Sequence, residues 1–190
     1  EHSVTNLATT DHLFFERAGM DRDRITRIVD DTLHSADDGE LFIEYRQSES
    51  LSFDDGRLKN AAFDTTQGFG LRAIAGEASG YSHASELSEA AIKRAAETVR
   101  AVRKGYDGVA AVAPQGTNQS LYSDDNPLGE VSFKDKVKLL AEIDSYARGL
   151  DTRVQQVSAS ISGEWQAVQI LRRGGDRVAD IRPLVRLNVS

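Results

Sequence analysis

Cysteine is absent from the 190 residues, which excludes a disulfide framework, a thiolate nucleophile and any thiolate metal site. Long apolar runs are lacking too, and none approaches the roughly 20 residues that a membrane-spanning helix needs. The first residues, Glu1 to Asn6, offer neither the basic start nor the apolar stretch of a secretory signal. The expected location is therefore the cytosol, with no membrane partner.

Histidine is sparse, with four residues: His2, His12, His34 and His83. No two of them stand at the helical spacing that a zinc pair would use, so neither a metal site nor a catalytic site is expected within this chain. Gly68-Phe69-Gly70 lacks the third glycine of a dinucleotide fingerprint and opens a strand pattern instead of a helix. A nucleophile elbow and a phosphate-binding loop are both missing. Asp54-Asp55 and Asp124-Asp125 fall in turn-like stretches, where aspartate is favoured for its backbone hydrogen bonds.

What remains is an ordinary globular composition, 39% hydrophobic and 28% charged, well outside the class that stays disordered. Net charge is −7, from 23 Lys+Arg against 30 Asp+Glu. Such a surface repels phosphate backbones unless its cations cluster. The basic pieces at Lys93-Arg94, Lys134 to Lys138 and elsewhere are interspersed with acids, which argues against nucleic-acid binding.

Periodicity organises the chain. Residues 1–20 carry one apolar cluster, Leu13-Phe14-Phe15, which predicts a short helix or docking arm. Asp21 caps a helix from Arg22 to Ala36, with Ile25, Ile28, Val29 and Leu33 on one stripe and Gly39 as its stop. From Leu41 the period becomes two: Leu41, Ile43, Tyr45, Leu51 and Phe53 share one face, and Glu44, Arg46, Ser48 and Ser50 the other. Turns at Asp54-Asp55-Gly56, at Thr65-Thr66-Gln67-Gly68 and at Gly76-Glu77 predict a four-strand antiparallel meander ending at Ala84. Ser85 then caps a helix to Lys104, with Leu87, Ala90, Ala91, Ala95, Val99 and Val102 inward and a Glu89–Lys93 pair outward.

Residues 105–131, rich in glycine and proline, read as a linker. Ser132 and Asp135 resemble a capping box for a helix that stops at Gly149. Strands Val154 to Ile161, Trp165 to Leu171 and Arg177 to Ser190 follow, divided at Ser162-Gly163 and Gly174-Gly175-Asp176. "Helix, then meander" thus occurs twice, over about 21–104 and 132–190, with Arg72 and Arg186 in corresponding places. The expected fold class is α+β: a curved antiparallel sheet built from two helix-plus-meander repeats, with helices packed on one face. The only methionine is Met20, and Leu184 to Ser190 still alternate where the sequence stops. An unprotected strand edge of that kind leads to the expectation that the chain is a piece of a longer protein.

Three stretches, Ser52 to Asn60, Gln67 to Ile74 and Gly80 to Ser88, stand in this order. Together they resemble the amino-terminal domain of the TldD/PmbA family, and Asp180-Ile181-Arg182-Pro183 fits a later part of the same domain. The resemblance covers essentially the whole chain. It implies a zinc metallopeptidase of the bacterial cytosol that pairs with a TldE/PmbA-like partner subunit, or a second copy, and cuts unfolded peptides. It also implies that the zinc ligands, a His-Glu-x-x-x-His helix and a distant cysteine, lie in a carboxy-terminal part that this chain does not contain. No catalytic residue can then be carried over, and 1–190 reads as the non-catalytic amino-terminal domain. A free sheet edge can bind an extended peptide by strand addition, so the expected role is a substrate-channel and assembly domain. Arg72, Tyr81 and His83 are its candidate peptide contacts. The alternative is a module that only joins subunits, in which apolar side chains would dominate the exposed sheet face.

Overall fold

The structure is a computed structural model that describes residues 2–102 and 122–190. Five strands, β1 (Asp38–Asp54), β2 (Arg57–Ala75), β3 (Ala78–Ala84), β4 (Ser158–Leu171) and β5 (Arg177–Val189), form one open antiparallel sheet in the order β3-β2-β1-β4-β5. The helices are α1 (His2–Asp11), α2 (Arg22–Leu33), α3 (Glu89–Val102), α4 (Pro127–Glu130) and α5 (Phe133–Leu150), and a π-helical turn spans His12–Glu16. The chain is therefore α+β, with α2 leading into β1–β3 and α5 leading into β4 and β5. Residues 105–121 of the expected linker, and the expected helix end at Lys104, lie outside the described residues.

Local chemistry accounts for most of the boundaries. The Asp21 carboxylate accepts from the Arg24 amide at 3.0 Å and opens α2. The Ser132 hydroxyl accepts from the Asp135 amide at 3.2 Å, the N-cap half of the box the sequence suggested, and donates to the Asp135 carboxylate at 2.6 Å. Asp55 (φ 47°) and Gly56 (φ 73°) both adopt the left-handed conformation that a two-residue hairpin requires. On β1, Leu41, Ile43, Tyr45, Leu51 and Phe53 are all buried, as their alternation predicts.

Several expectations were wrong, and at Gly39, Gly68 and Gly163 the reasons are steric. Thr65 to Gly68 make no turn: β2 runs unbroken from Arg57 to Ala75, so three strands precede α3 instead of four. Gly68 is there because a Cβ would meet the Ala84 carbonyl oxygen at 2.6 Å. Ser162-Gly163 likewise lies inside β4, where the Leu128 side chain fills the space of a Gly163 Cβ. Gly39 is no helix stop. It sits in β1, where a Cβ would lie 2.5 Å from both the Arg72 carbonyl oxygen and the Leu33 side chain, and α2 ends at Leu33 with His34 as C-cap. The α3 cap is Ser88, whose hydroxyl accepts from the Ala91 amide at 3.1 Å, in place of Ser85. Ala90 is exposed, and the buried stripe runs through Ala91, Ile92, Ala95, Ala96 and Val99. Helix α5 continues past Gly149 to Leu150.

Of the described residues, those within Glu1–Tyr45, Thr66–Leu121 and Ala167–Ile181 make one compact unit, and those within Arg46–Thr65, Tyr122–Gln166 and Arg182–Ser190 a second. The core of the first holds Phe14, Ile25, Val29, Leu33, Leu41, Ile43, Leu71 and Ile92. Each such side chain contributes about 1.5–3 kcal/mol by leaving water. The fully buried amide side chain of Gln169 donates to Thr10 Oγ1 (3.0 Å) and Asp11 Oδ1 (2.8 Å), and Arg177 donates to the same carboxylate at 2.7 Å. The core of the second packs Leu140, Val137 and Ile143 of α5 against Leu51, Phe53, Ala159 and Ile161.

Candidate functional site

The first unit presents a strand face carrying all three candidate contacts. Strands β2 and β3 pair antiparallel with Arg72 opposite Tyr81 and Gly70 opposite His83. Residues directly opposite point to the same side of a sheet. The alternate residues Phe69, Leu71, Ala73 and Ala75 are buried, so Gly70, Arg72, Tyr81 and His83 lie on the other face.

Tyr81 is 61% exposed, and its ring stacks on that of His83 with centroids 5.5 Å apart and planes 26° apart. It leans across β2: a Cβ at Gly70 would lie 2.9 Å from the Tyr81 hydroxyl and 3.1 Å from its Cε2. Glycine at that position is what lets the ring lie down on the neighbouring strand. Beside the two rings is an open cavity of about 300 Å³, lined also by Phe42, Glu44, Gln67 and Gly68. That is the lower end of the range in which ligand pockets fall.

Arg72 is not part of this cavity. Its guanidinium stands 3.5 Å from Glu40 and 3.7 Å from Asp38, neighbours on β1, and its side chain is 43% exposed. The structure thus brings Tyr81 and His83 together and turns Arg72 toward two carboxylates. Phe42, Glu44 and Gln67 escaped the sequence reading. Glu44 was visible only as one polar residue of a solvated strand face, and placing it beside His83 requires the pairing of β1, β2 and β3.

The second unit has a cavity of about 360 Å³, lined by Ser48, Ser50, Asp64, Ser162, Glu164 and Arg186 among others. Arg186 donates to Asn188 Oδ1 at 3.1 Å, and Arg46 pairs with Glu164 at 3.6 Å. In the same unit residues 57–65 of β2 and 184–189 of β5 are exposed throughout. They include the large apolar side chains Leu58, Phe63, Leu184, Val185, Leu187 and Val189.

Among the described residues no group of three or more His, Asp, Glu or Cys side chains is placed to hold a metal ion. His12 is engaged with Glu16 at 2.9 Å on the surface, and His83 is stacked on Tyr81. These donors do not fit a zinc centre. Among the described residues no helix is long and apolar enough to cross a membrane.

Residues 39–103 match the family model described as PmbA/TldA metallopeptidase domain 1, and residues 126–190 match the PmbA/TldA metallopeptidase central domain. A metalloprotease TldD homolog of Haemophilus influenzae is 35% identical over 158 residues, covering 81% of this chain and 33% of that protein. The homolog from Buchnera aphidicola subsp. Schizaphis graminum is 29% identical over 188 residues, covering 98% of this chain and 39% of that protein. The chain spans about a third of the length of the curated relatives it matches. Among solved structures, a Bacteroides thetaiotaomicron protein described as a modulator of DNA gyrase superposes with a TM-score of 0.66 at 16% identity. That superposition covers 88% of this chain and 40% of the other. TldE of Thermococcus kodakarensis superposes with a TM-score of 0.55 at 15% identity, covering 88% of this chain and 38% of its own. At those identities the superpositions speak for the fold alone. Two consecutive domain models of one family, matched in order along the sequence, establish that the chain belongs to the PmbA/TldD metallopeptidase family.

Proposed function

We propose that this chain is the amino-terminal, non-catalytic part of a TldD-like zinc metallopeptidase that cleaves unfolded peptides in the cytosol, and that its role is substrate contact and assembly. The zinc would be held by residues of the longer protein. The observation that carries the reading is the exposed Tyr81–His83 stack beside an open cavity, on an edge strand of the sheet. An edge strand offers unpaired backbone groups to an extended peptide whatever its sequence, and neighbouring side chains then act on the peptide's own. That combination suits an enzyme for unfolded chains. Arg72 contributes by holding Asp38 and Glu40, so its contact with peptide would be the weakest of the three.

The assembly half of the proposal rests on the second unit. Residues 184–189 of β5 expose Leu184, Val185, Leu187 and Val189 at 49–63%, more apolar surface than an isolated strand usually leaves in water. A TldE/PmbA-like subunit, or a second copy, is the partner proposed to cover it. This observation also favours the narrower reading, a subunit-joining module with no peptide contact.

Steady-state kinetics on the full-length protein separate the two readings. If the face contacts peptide, Tyr81→Ala and His83→Ala raise KM for an unfolded peptide severalfold and leave kcat within about twofold, the mark of lost ground-state binding. Unchanged KM in both variants would leave only the subunit-joining role.

A further inference from the structure

We propose that the cavity bounded by Tyr81, His83 and Glu44 is a subsite for a cationic peptide side chain, lysine or arginine. The proposal rests on the reading of Tyr81 and His83 as peptide contacts and adds a specificity to it.

Two walls bound the cavity. One is the stacked pair of rings, with Tyr81 61% exposed. The open face of an aromatic ring carries negative quadrupole density that attracts a cation. The other wall carries Phe42 and Glu44, both half-buried on β1. Between them β2 contributes Gly68 and Gly70, with Thr66, Gln67 and Phe69 also on the lining; the Tyr81 ring covers Gly70, and Gly68 leaves room beside it for a long, unbranched alkyl stem. A lysine or arginine laid there would rest its methylenes on Phe42 and the ring edges and bring its charge between Tyr81 and the Glu44 carboxylate.

Charge points the same way. No lysine or arginine is among the residues lining the cavity, and Glu44 is the carboxylate that lines it. Of the arginines nearby, Arg72 is paired with Glu40 and Asp38, and Arg17 lies over the Tyr45 ring at 4.4 Å and donates to Gln67 Oε1, at the edge of the lining, at 3.4 Å. Glu44 also interacts within the protein. A protein of net charge −7 adds a favourable background for a cation and a penalty for an anionic side chain. An acidic residue at this position of a peptide would meet Glu44 directly.

The test measures binding to the full-length protein after chelation with EDTA, so that no peptide is consumed. The probes are capped Ala/Gly hexapeptides with one central lysine, arginine, norleucine or glutamate. Cation–π attraction together with a half-exposed carboxylate predicts lysine and arginine peptides binding about tenfold tighter than norleucine, and glutamate weakest. Glu44→Gln and Tyr81→Leu each remove most of that preference, with the far-UV circular dichroism of both variants unchanged. Equal binding of all four peptides, weakened alike by Tyr81→Leu, would overturn the cationic subsite and leave the peptide-contact reading standing. A lysine preference that survives both variants would also overturn it, by placing the recognition elsewhere. Affinities wholly insensitive to Tyr81→Leu, or no binding of any probe, would remove the peptide-contact reading with it.

Discussion

Lys136 of α5 and Glu49 of β1 form an ion pair at 2.5 Å, with side chains only 10% and 14% exposed. The same ammonium donates to the Leu128 carbonyl at 2.8 Å and so ties α4 and α5 to β1 within the second unit. Breaking one side of such a pair leaves an uncompensated charge in a poorly solvated place. Lys136→Met is expected to lower unfolding free energy by about 3–5 kcal/mol, whereas the double change with Glu49→Leu recovers most of the loss. Urea denaturation of the three variants checks this, and a double variant no more stable than Lys136→Met would contradict it.

The glycines give a paired prediction with opposite signs. Gly39→Ala puts a methyl 2.5 Å from the Arg72 carbonyl and the Leu33 side chain, and overpacking of this kind costs about 1–3 kcal/mol. Gly149 lies in the last turn of α5 with nothing within 4 Å of its missing Cβ. Gly149→Ala is therefore expected to stabilise by about 0.5–1 kcal/mol. Thermal denaturation should move Tm down in the first variant and up in the second.

Acid sensitivity follows from hydrogen bonds to surface carboxylates. The Ser158 hydroxyl, at 2.7 Å, and then the Gln156 amide hold Asp54 below the usual carboxylate range. The Arg24 backbone amide does the same for Asp21, and the Ser88 hydroxyl for Glu86. A depressed folded pKa gives stability that is complete above the unfolded value, about 4, and is lost as pH falls through the folded value. The urea midpoint should thus drop below about pH 4. Asp54→Asn should make the decline shallower, and an unchanged slope in that variant would contradict the assignment.

Arg72 makes a contrasting case. Exposed ion pairs are worth at most about 1 kcal/mol, so Arg72→Ala should cost little stability. Because its guanidinium is drawn to Glu40 and Asp38, Arg72→Ala should also change peptide affinity less than Tyr81→Ala. Fluorescence anisotropy with a labelled unfolded peptide compares the two directly, and a larger effect at Arg72 would reverse the ranking.

How legible the molecule was in its sequence depended on whether a signal had one physical meaning. The alternation from Leu41 to Phe53 has one, and every residue it placed inward is buried. Asp55-Gly56 has one too, since both residues must adopt positive φ. Gly68 and Gly163 have two. A glycine within a polar stretch marks a turn or a place where another chain segment comes close, and here the Ala84 carbonyl and the Leu128 side chain made it the second. The sequence reading places the cap of α3 at Ser85, and the hydrogen bond from the Ala91 amide places it at Ser88. Of the candidate site, the aromatic strand Gly80 to Ala84 could be read in advance. Phe42 and Glu44 could not, because cross-strand register decides which side chains on a solvated face become neighbours. Lys136 and Asp144, buried on α5, look in sequence like any charged helix positions.

The most direct test of the account measures zinc content and peptidase activity in this chain and in the full-length protein side by side, under the same conditions. The account predicts stoichiometric zinc and peptide cleavage in the full-length protein, and neither in the 190-residue chain. Stoichiometric zinc bound by the chain alone, or cleavage by it, would contradict its assignment as the non-catalytic part of the enzyme.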